Sequence, residues 1–395
     1  MEGVRKARIE SIDLLRGVVI ILMALDHVRM YLADGGWYAD PTNLATTTPL
    51  LFFTRWITHF CAPVFIFLGG TSAFLYGSHR HSTREVSHYV LTRGLFLVFL
   101  EWVVVNFGWT FDITFSFRLL QVIWAIGISM VVLAGLVYLP KWAIFAFGVM
   151  LIFSHNLLDP IQMQGASLQA LTWYILHQLE LFAFRPDAVV YFHYPLIPLV
   201  GLMALGYVFG VFYGEGFDAA RRRKWLLGMG ATAILLFLIL RGFNLYGEPS
   251  PWQPQGTLVG SVMSFLNTTK YPTSLQFLLM TIGPALVFLA LVERVKNRVS
   301  ETILTYGRVS LFFYMVHIYM IHIVTLVALA ASGRSWTETI VSAEVFLSES
   351  LADFGFPLAV VYLIWVAVMV AMYPLSEWYR AYKKRHPEKW LLRYI

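Results

Sequence analysis

Arg16 and His27 stand eleven residues apart within the apolar stretch SIDLLRGVVIILMALDHVRMYL. Eleven residues climb about three helical turns, roughly 16 Å, and eleven steps of about 100° return to within about 20° of the starting face. One helix face therefore carries Asp13, Arg16 and His27 through apolar surroundings. Ionisable groups in lipid are costly and face a protein interior or a water-filled cavity, so this line reads as the wall of a site. An imidazole takes up a proton near neutral pH, which makes His27 the leading general base or nucleophile. A guanidinium such as that of Arg16 holds a phosphate or carboxylate with two parallel hydrogen bonds. The plainer alternatives are a histidine bonded to a neighbouring helix, and an Arg16–Asp13 ion pair that only pins the helix. Asp26 adjoins His27 but points about 100° away from it.

Other segments offer further chemistry. In TRWITHFCAPVFIFLGGTSAFLYG, Arg55 and His59 are at i,i+4 on one helix face. His59 competes with His27 for the catalytic role. Pro63 can free backbone carbonyls, and Cys61 reads as a packing residue. Arg93 sits near the inner end of the next apolar segment, where it suits an anion site, and Glu101 lies at mid-depth. Arg118 and Gln121 open a fourth segment, and a ninth holds Tyr306, Gly307, Arg308, Tyr314, His317 and His322. Tyr314 and His317 share a face at i,i+3, so His317 is placed to line a tunnel with Glu101, Arg118 and Gln121. A structural polar contact is the alternative for each. No Walker loop, dinucleotide turn, HExxH, aspartate-rich or GxSxG motif is present. The eleven histidines show no local metal-ligand spacing, so no metal is expected.

The elements that must position these residues follow from composition. The 395 residues are 58% hydrophobic, 16% aromatic and only 13% charged, against about 25% charge in soluble domains. The class is an all-α polytopic membrane protein. A single cysteine excludes an intrachain disulfide and a cysteine metal cluster. The net charge of +6 lies in short loops between apolar runs, which argues against nucleic acid as a partner. The first apolar run lacks a small-residue cleavage site and reads as a retained helix rather than a signal peptide.

About ten spanning helices are predicted, over 11–33, 50–77, 88–110, 118–139, 141–158, 195–214, 225–243, 274–293, 303–330 and 357–375. Orientation follows from Lys and Arg. Arg5, Lys6, Arg8, Arg80, Arg84, Lys141, Arg221 to Lys224, Arg294, Lys296, Arg298 and a basic tail all fall on one side. The opposite loops hold little beyond Arg185, Lys270 and Arg334. Both termini are therefore predicted to be cytoplasmic, with one transmembrane domain over 1–395 whose residues 376–395 form a basic tail at the inner interface against lipid. Three outer loops, 34–49, 159–194 and 244–273, suit a lid or an acceptor site. Segment 164–183 has a helical pattern suited to the membrane surface.

On these residues the chain resembles the bacterial membrane proteins related to heparan-alpha-glucosaminide N-acetyltransferase. The resemblance is carried by RIESIDLLRGVVIILMALDH at 8–27, DPTNLATTTPLLFFTRWITHFCAPVFIFLGG at 40–70 and RGLFLVFLEWVVVNFGW at 93–109. It continues through LLQVIWAIGISMVVLAGLVYLP at 119–140, PLIPLVGLMALGYVFG at 195–210 and YGRVSLFFYMVHIYMIH at 306–322. The family in turn looks like a distant relative of membrane acyltransferases that modify surface polysaccharides, in which an arginine and a histidine flank ten residues of the first helix. Arg16 and His27 match that pattern. The resemblance implies transfer of an acyl group, most simply acetyl, from cytoplasmic acyl-CoA to an amine or hydroxyl, such as a sugar's, at the outer face of a bacterial inner membrane. Acetyl-CoA is then the co-substrate, and a homodimer is compatible with the reading. Arg16 and Arg93, with Asp13 beside them, would meet the CoA phosphates; His27, with His59 and Asp26 as candidates beside it, would deprotonate the acceptor or carry the acyl group. Arg55, Tyr314 and His317 would line the acceptor side.

One departure matters. The lysosomal enzyme of the family has its proposed active-site histidine in the luminal segment before the second helix, whereas 34–54 here contains no histidine. That moves the expectation to His27, with His59 second. The short chain carries no added luminal domain, which argues against heparan sulfate itself as substrate. The competing class is a transporter or channel for an anionic solute, disfavoured because inverted repeats are not evident.

Overall fold

A computed structural model describes residues 9–394 apart from 79, 81 and 294, with the side chain of Arg393 also outside the description. Arg5, Lys6, Arg8 and Arg294 of the orientation argument thus lie outside the described residues. The order begins with α1 (Glu10–Leu32), α2 (Pro49–Ile57), α3 (Cys61–Gly77), α4 (Thr83–Leu100) and α5 (Asn106–Thr110). Strand β1 (Phe117–Leu120) precedes α6 (Val122–Leu136), α7 (Lys141–Ser154) and α8 (Leu168–Leu176). Strands β2 (Glu180–Arg185) and β3 (Ala188–Phe192) lead into α9 (Ile197–Phe209), α10 (Ala219–Gly242), α11 (Leu258–Leu266) and α12 (Leu275–Val292). The chain ends with α13 (Arg298–Arg308), α14 (Ser310–Ala331), α15 (Ala343–Leu347) and α16 (Leu358–Arg385).

Among the described residues, seven helices are long and apolar enough to cross a membrane: Pro49–Gly77, Thr83–Thr110, Lys141–Leu158, Ala219–Gly242, Leu275–Val292, Ser310–Ala331 and Leu358–Arg385. Helix α1 has 23 residues but carries the polar line, while Val122–Leu136 and Ile197–Tyr213 are apolar and shorter. The protein is a mostly helical polytopic membrane protein.

Several predicted elements differ. The fourth segment does not begin as helix at 118: Phe117–Leu120 pair in parallel with β3, which pairs antiparallel with β2 in a three-strand order β1-β3-β2. A four-residue apolar run reads equally as strand or helix until its partner is known. Arg118 is thus on a strand, and Gln121 is the residue before α6. The ninth segment is broken at Val309 (φ −128°, ψ 33°), which sets Tyr306, Gly307 and Arg308 on a separate amphipathic helix begun by an Asn297–Ser300 capping box. Segment 164–183 is helical only over Leu168–Leu176 and becomes strand at Glu180. Pro63 lacks the N–H that would bond the His59 carbonyl, and the chain tightens into a 3-10 turn at Thr58–Phe60 between α2 and α3.

Helix α1 is the axis of the bundle and packs against α3, α12, α13, α14 and α16. Lipid tails are as apolar as leucine, so helix association in a membrane rests on close packing rather than on water exclusion. Small residues supply it. A Cβ on Gly307 would overlap the Asp13 carbonyl of α1, and a Cβ on Gly17 would overlap Ile303. Gly70 of α3 and Gly206 of α9 meet in the same way, each against the other helix's backbone. Gly307→Val is expected to destabilise the fold by about 3 kcal/mol or more, read as loss of a monodisperse detergent-solubilised peak and a lower Tm; a wild-type melt would refute this crossing.

The loop from 244 to 273 is tied to the end of α10. Arg241 is buried, and its guanidinium donates to the carbonyls of Phe265 (2.9 Å), Ser250 (2.7 Å), Ser264 (2.9 Å) and Asn267 (2.7 Å). Glu248 accepts from Thr269 N–H at 2.9 Å and Ser274 Oγ at 2.8 Å, and Asn267 Nδ2 donates to the Thr42 carbonyl at 3.0 Å.

Candidate active site

The polar face of α1 meets two separate environments. At its N-terminal end Arg16 donates to Asp13 (3.3 Å), to the Leu68 carbonyl (3.4 Å) and to Ser72 Oγ. Here it lines a cavity of about 260 Å³ together with Arg93, Arg308, Lys383, Tyr89 and Ser72. Four cationic side chains from α1, α4, α13 and α16 thus surround one space, with Arg93 Nη1 donating to Tyr89 Oη at 2.9 Å. Sequence reasoning placed Arg16 and Arg93 here. It left Lys383 in a tail and Arg308 within a spanning helix, because the break at Val309 and the continuation of α16 to Arg385 are set by packing.

Tyr314 also lines this cavity. Its ring stands edge-on to His27 with centroids 6.0 Å apart, and its phenol oxygen accepts from Trp109 Nε1 at 3.4 Å. His27 packs edge-on against Trp109 at 4.8 Å. His27 thus adjoins the cavity through Tyr314 and Trp109 rather than lining it.

His27 Nδ1 lies 2.8 Å from His317 Nε2, and His317 Nδ1 lies 2.8 Å from the Phe313 carbonyl. The carbonyl only accepts, so His317 Nδ1 carries a proton and its Nε2 is left to accept from His27 Nδ1–H. The consequence is a tautomer that leaves the lone pair on His27 Nε2. The order is that of a base oriented by a second residue, which in turn is fixed by backbone.

Asp26 does not pair with His27. It accepts from Arg29 at 3.1 Å and from Arg55, and Lys270 lies within electrostatic range of both Asp26 and His27. Three cations therefore face one carboxylate. His59 is buried with its ring 5.1 Å from that of Phe277 and its Nδ1 without a hydrogen-bond partner among the described residues. His193 and Tyr271 complete this end, with ring centroids 4.1 Å apart, and Tyr271 Oη donates to Tyr194 Oη at 3.3 Å. Burial, then Lys270 and Arg55, push the His193 imidazole down to about 3, so it is neutral at physiological pH. Burial would raise the Tyr271 phenol, but Lys270 and Arg55 outweigh it and hold the phenol below its usual range.

The remaining predicted residues do not line the cation-lined cavity, although Glu101 lies within electrostatic range of Tyr314. Glu101 is fully buried and accepts from the Trp124 backbone N–H at 3.2 Å, so it caps the first turn of α6, where helix N–H groups need acceptors. Arg118 lies over the rings of Trp102 (5.0 Å) and Phe115 (5.3 Å). Gln121 is buried and precedes α6. Cys61 Sγ faces the Val19 carbonyl at 3.1 Å, a packing contact.

Residues 8–242 match the family model of the heparan-alpha-glucosaminide N-acetyltransferase catalytic region. The chain belongs to this family. No curated protein matches it significantly. Membership in the heparan-alpha-glucosaminide N-acetyltransferase family makes this a membrane protein of an acetyltransferase family. The matched region holds Arg16, His27, Arg55, His59 and Arg93, whereas Lys270, Arg308, Tyr314, His317 and Lys383 come from beyond it. Sequence reasoning had no signal for His193, Lys270 and Tyr271, which lie in loops without periodicity.

Proposed function

We propose that this protein transfers an acyl group, most simply acetyl, from acyl-CoA bound at the N-terminal end of α1 to an amine or hydroxyl at the opposite end. The observation that carries the reading is the cation-lined cavity that includes Tyr314, with the His27 ring edge-on to Tyr314 and its Nδ1 bonded to His317. Arg16, Arg93, Arg308 and Lys383 would hold the anionic CoA phosphates, and the pantetheine arm would carry the thioester past Tyr314. The rise of about 16 Å between Arg16 and His27 is comparable to an extended pantetheine.

His27 Nε2 takes the proton of the acceptor N–H or O–H as that atom attacks the thioester carbonyl carbon. Collapse of the tetrahedral intermediate breaks the C–S bond, and the leaving thiolate takes the proton back from the imidazolium. Acylated acceptor and free CoA result. Attack by Nε2 itself, giving an acyl-imidazole that the acceptor then opens, uses the same geometry; acid-quenched protein would carry labelled acyl group on His27 only in that case. Arg55, Arg29 and Lys270 place excess positive charge where it favours an oxyanion. Trp37, edge-on to Tyr31 at 5.2 Å and to Trp109 at 6.1 Å, gives a half-buried aromatic face suited to a sugar ring.

The positive side chains at the N-terminal end of α1 support a cytoplasmic orientation of that end. On this reading α1 and the two shorter apolar helices cross beside the seven long ones, both termini are cytoplasmic, the chain is one transmembrane domain, and the acceptor stands at the outer face of a bacterial inner membrane. The reading is tested with purified protein and labelled acetyl-CoA, by release of CoA and label transfer; no CoA release with any amine or sugar acceptor, or with water, would sink it.

His317 acts through His27 and is a positioning residue. His317→Leu is expected to lower kcat by about 10–100-fold at unchanged KM for acyl-CoA. His317→Gln, which retains an acceptor, should recover part of the loss. Equal kcat in wild type and His317→Leu would remove His317 from the mechanism.

A further inference from the structure

Away from the α1 site, His155, Asp159 and His177 converge where α7 ends. Their potential ligand atoms all lie within 4.8 Å of one another. His177 Nε2 and Asp159 Oδ1 are 3.0 Å apart, and the two imidazole centroids are 5.6 Å apart. Ligand atoms around a tetrahedral ion with bonds of about 2.0–2.1 Å are roughly 3.3 Å apart, so small side-chain adjustments close the set.

The cluster is built rather than incidental. His155 is fully buried, yet neither of its ring nitrogens has a hydrogen-bond partner among the described residues, and His177 Nδ1 has none either. An imidazole nitrogen sealed from water without a partner is destabilising, and a metal ion on His155 relieves it. Asn156 Nδ2 donates to the other Asp159 oxygen at 2.8 Å, which orients the carboxylate as supporting residues do around bound metals. The loop is also fixed: Met163 N–H donates to Gln178 Oε1 at 2.9 Å, and Gln178 Nε2 donates to the Met163 carbonyl at 3.0 Å. His177, at the end of α8, is thereby held over the end of α7.

We propose that His155, Asp159 and His177 form a binding site for one divalent cation of the zinc class. Two imidazoles and one carboxylate suit Zn²⁺ and its analogues Co²⁺ and Ni²⁺ better than Mg²⁺ or Ca²⁺, which prefer all-oxygen shells. The partly exposed Asp159 side leaves a fourth position for water. The ion clamps the loop from 159 to 177 to the membrane helix that precedes it. This loop leads into β2 and β3, and so to His193. The clamp is structural and does not depend on the proposed acyl transfer.

The test uses tag-free full-length protein in detergent, stripped with chelator and dialysed against ZnCl₂. Elemental analysis should find one zinc per chain, Tm should rise with zinc and fall on chelation, and Co²⁺ should give visible absorption bands of nitrogen–oxygen ligation. His155→Gln should abolish uptake. Asp159→Asn, nearly isosteric and less buried, should keep the metal-free Tm and bind zinc at least about 100-fold more weakly. Equal zinc uptake by wild type and Asp159→Asn, or no zinc-dependent Tm shift in wild type, would overturn the proposal.

Discussion

His27→Ala is expected to leave a folded protein that still binds acyl-CoA and, on the proposed function, transfers its acyl group about 1,000-fold more slowly. A positioned general base contributes about 10²–10⁴-fold, and the His317 contact adds orientation that free imidazole lacks. The substitution also removes edge contacts to Trp109 and Tyr314, each worth about 0.5–1.5 kcal/mol, so a modest fall in Tm accompanies the loss of rate. The cations around the cavity are untouched, so acyl-CoA affinity is retained. Single-turnover assays with labelled acetyl-CoA separate these effects. Wild-type turnover in His27→Ala would reject the assignment, and His59→Ala distinguishes whether the second histidine carries the role instead.

Removing two cavity cations has the next largest effect. Arg93→Ala with Lys383→Ala is expected to raise KM for acetyl-CoA by about 100-fold at little cost to kcat. Each charge-assisted hydrogen bond to a phosphate contributes about 1.5–3 kcal/mol when well formed, and less at a cavity mouth open to solvent. Arg16 is the poorer choice, because it also binds Asp13, Ser72 and the Leu68 carbonyl, so its loss would disturb helix packing as well as donor binding. Acetyl-pantetheine supplies the control: it lacks the nucleotide phosphates, so the double variant and wild type should use it equally. A similar rise in KM for both donors would mean that these residues shape the protein rather than bind phosphate.

Local pattern made the polar line of α1 legible, because one uninterrupted helix fixes the spacing of Asp13, Arg16 and His27. The same holds for Tyr314 and His317 on α14. Their meeting with His27 was not legible, since it joins residues 290 positions apart. Arg118 was misplaced because strand pairing with β3 decides the state of an apolar run that periodicity leaves open. The capping role of Glu101 was not legible, because only the packing of α6 against α4 reveals the N–H group that it accepts from. Lys270, His193 and Tyr271 left no pattern, for loop residues are positioned by contacts such as those of Arg241. The His155 cluster escaped the search for local histidine spacing because its partners are a carboxylate, Asp159, and His177, which lies 18 residues beyond Asp159 and out of the reach of helical periodicity.

Those four carbonyls on Arg241 bear on how acceptors are chosen. The rim that carries Lys270 and Tyr271 is bolted at its base, so a swinging closure over a guest would have to break these four bonds. On the proposed function, turnover is then ungated at this end. Acceptors would then be sorted by how well their outline matches a standing mould, and little ordering entropy would be lost when the right one docks. A poorly shaped acceptor would be refused as weak binding, before any bond is made or broken.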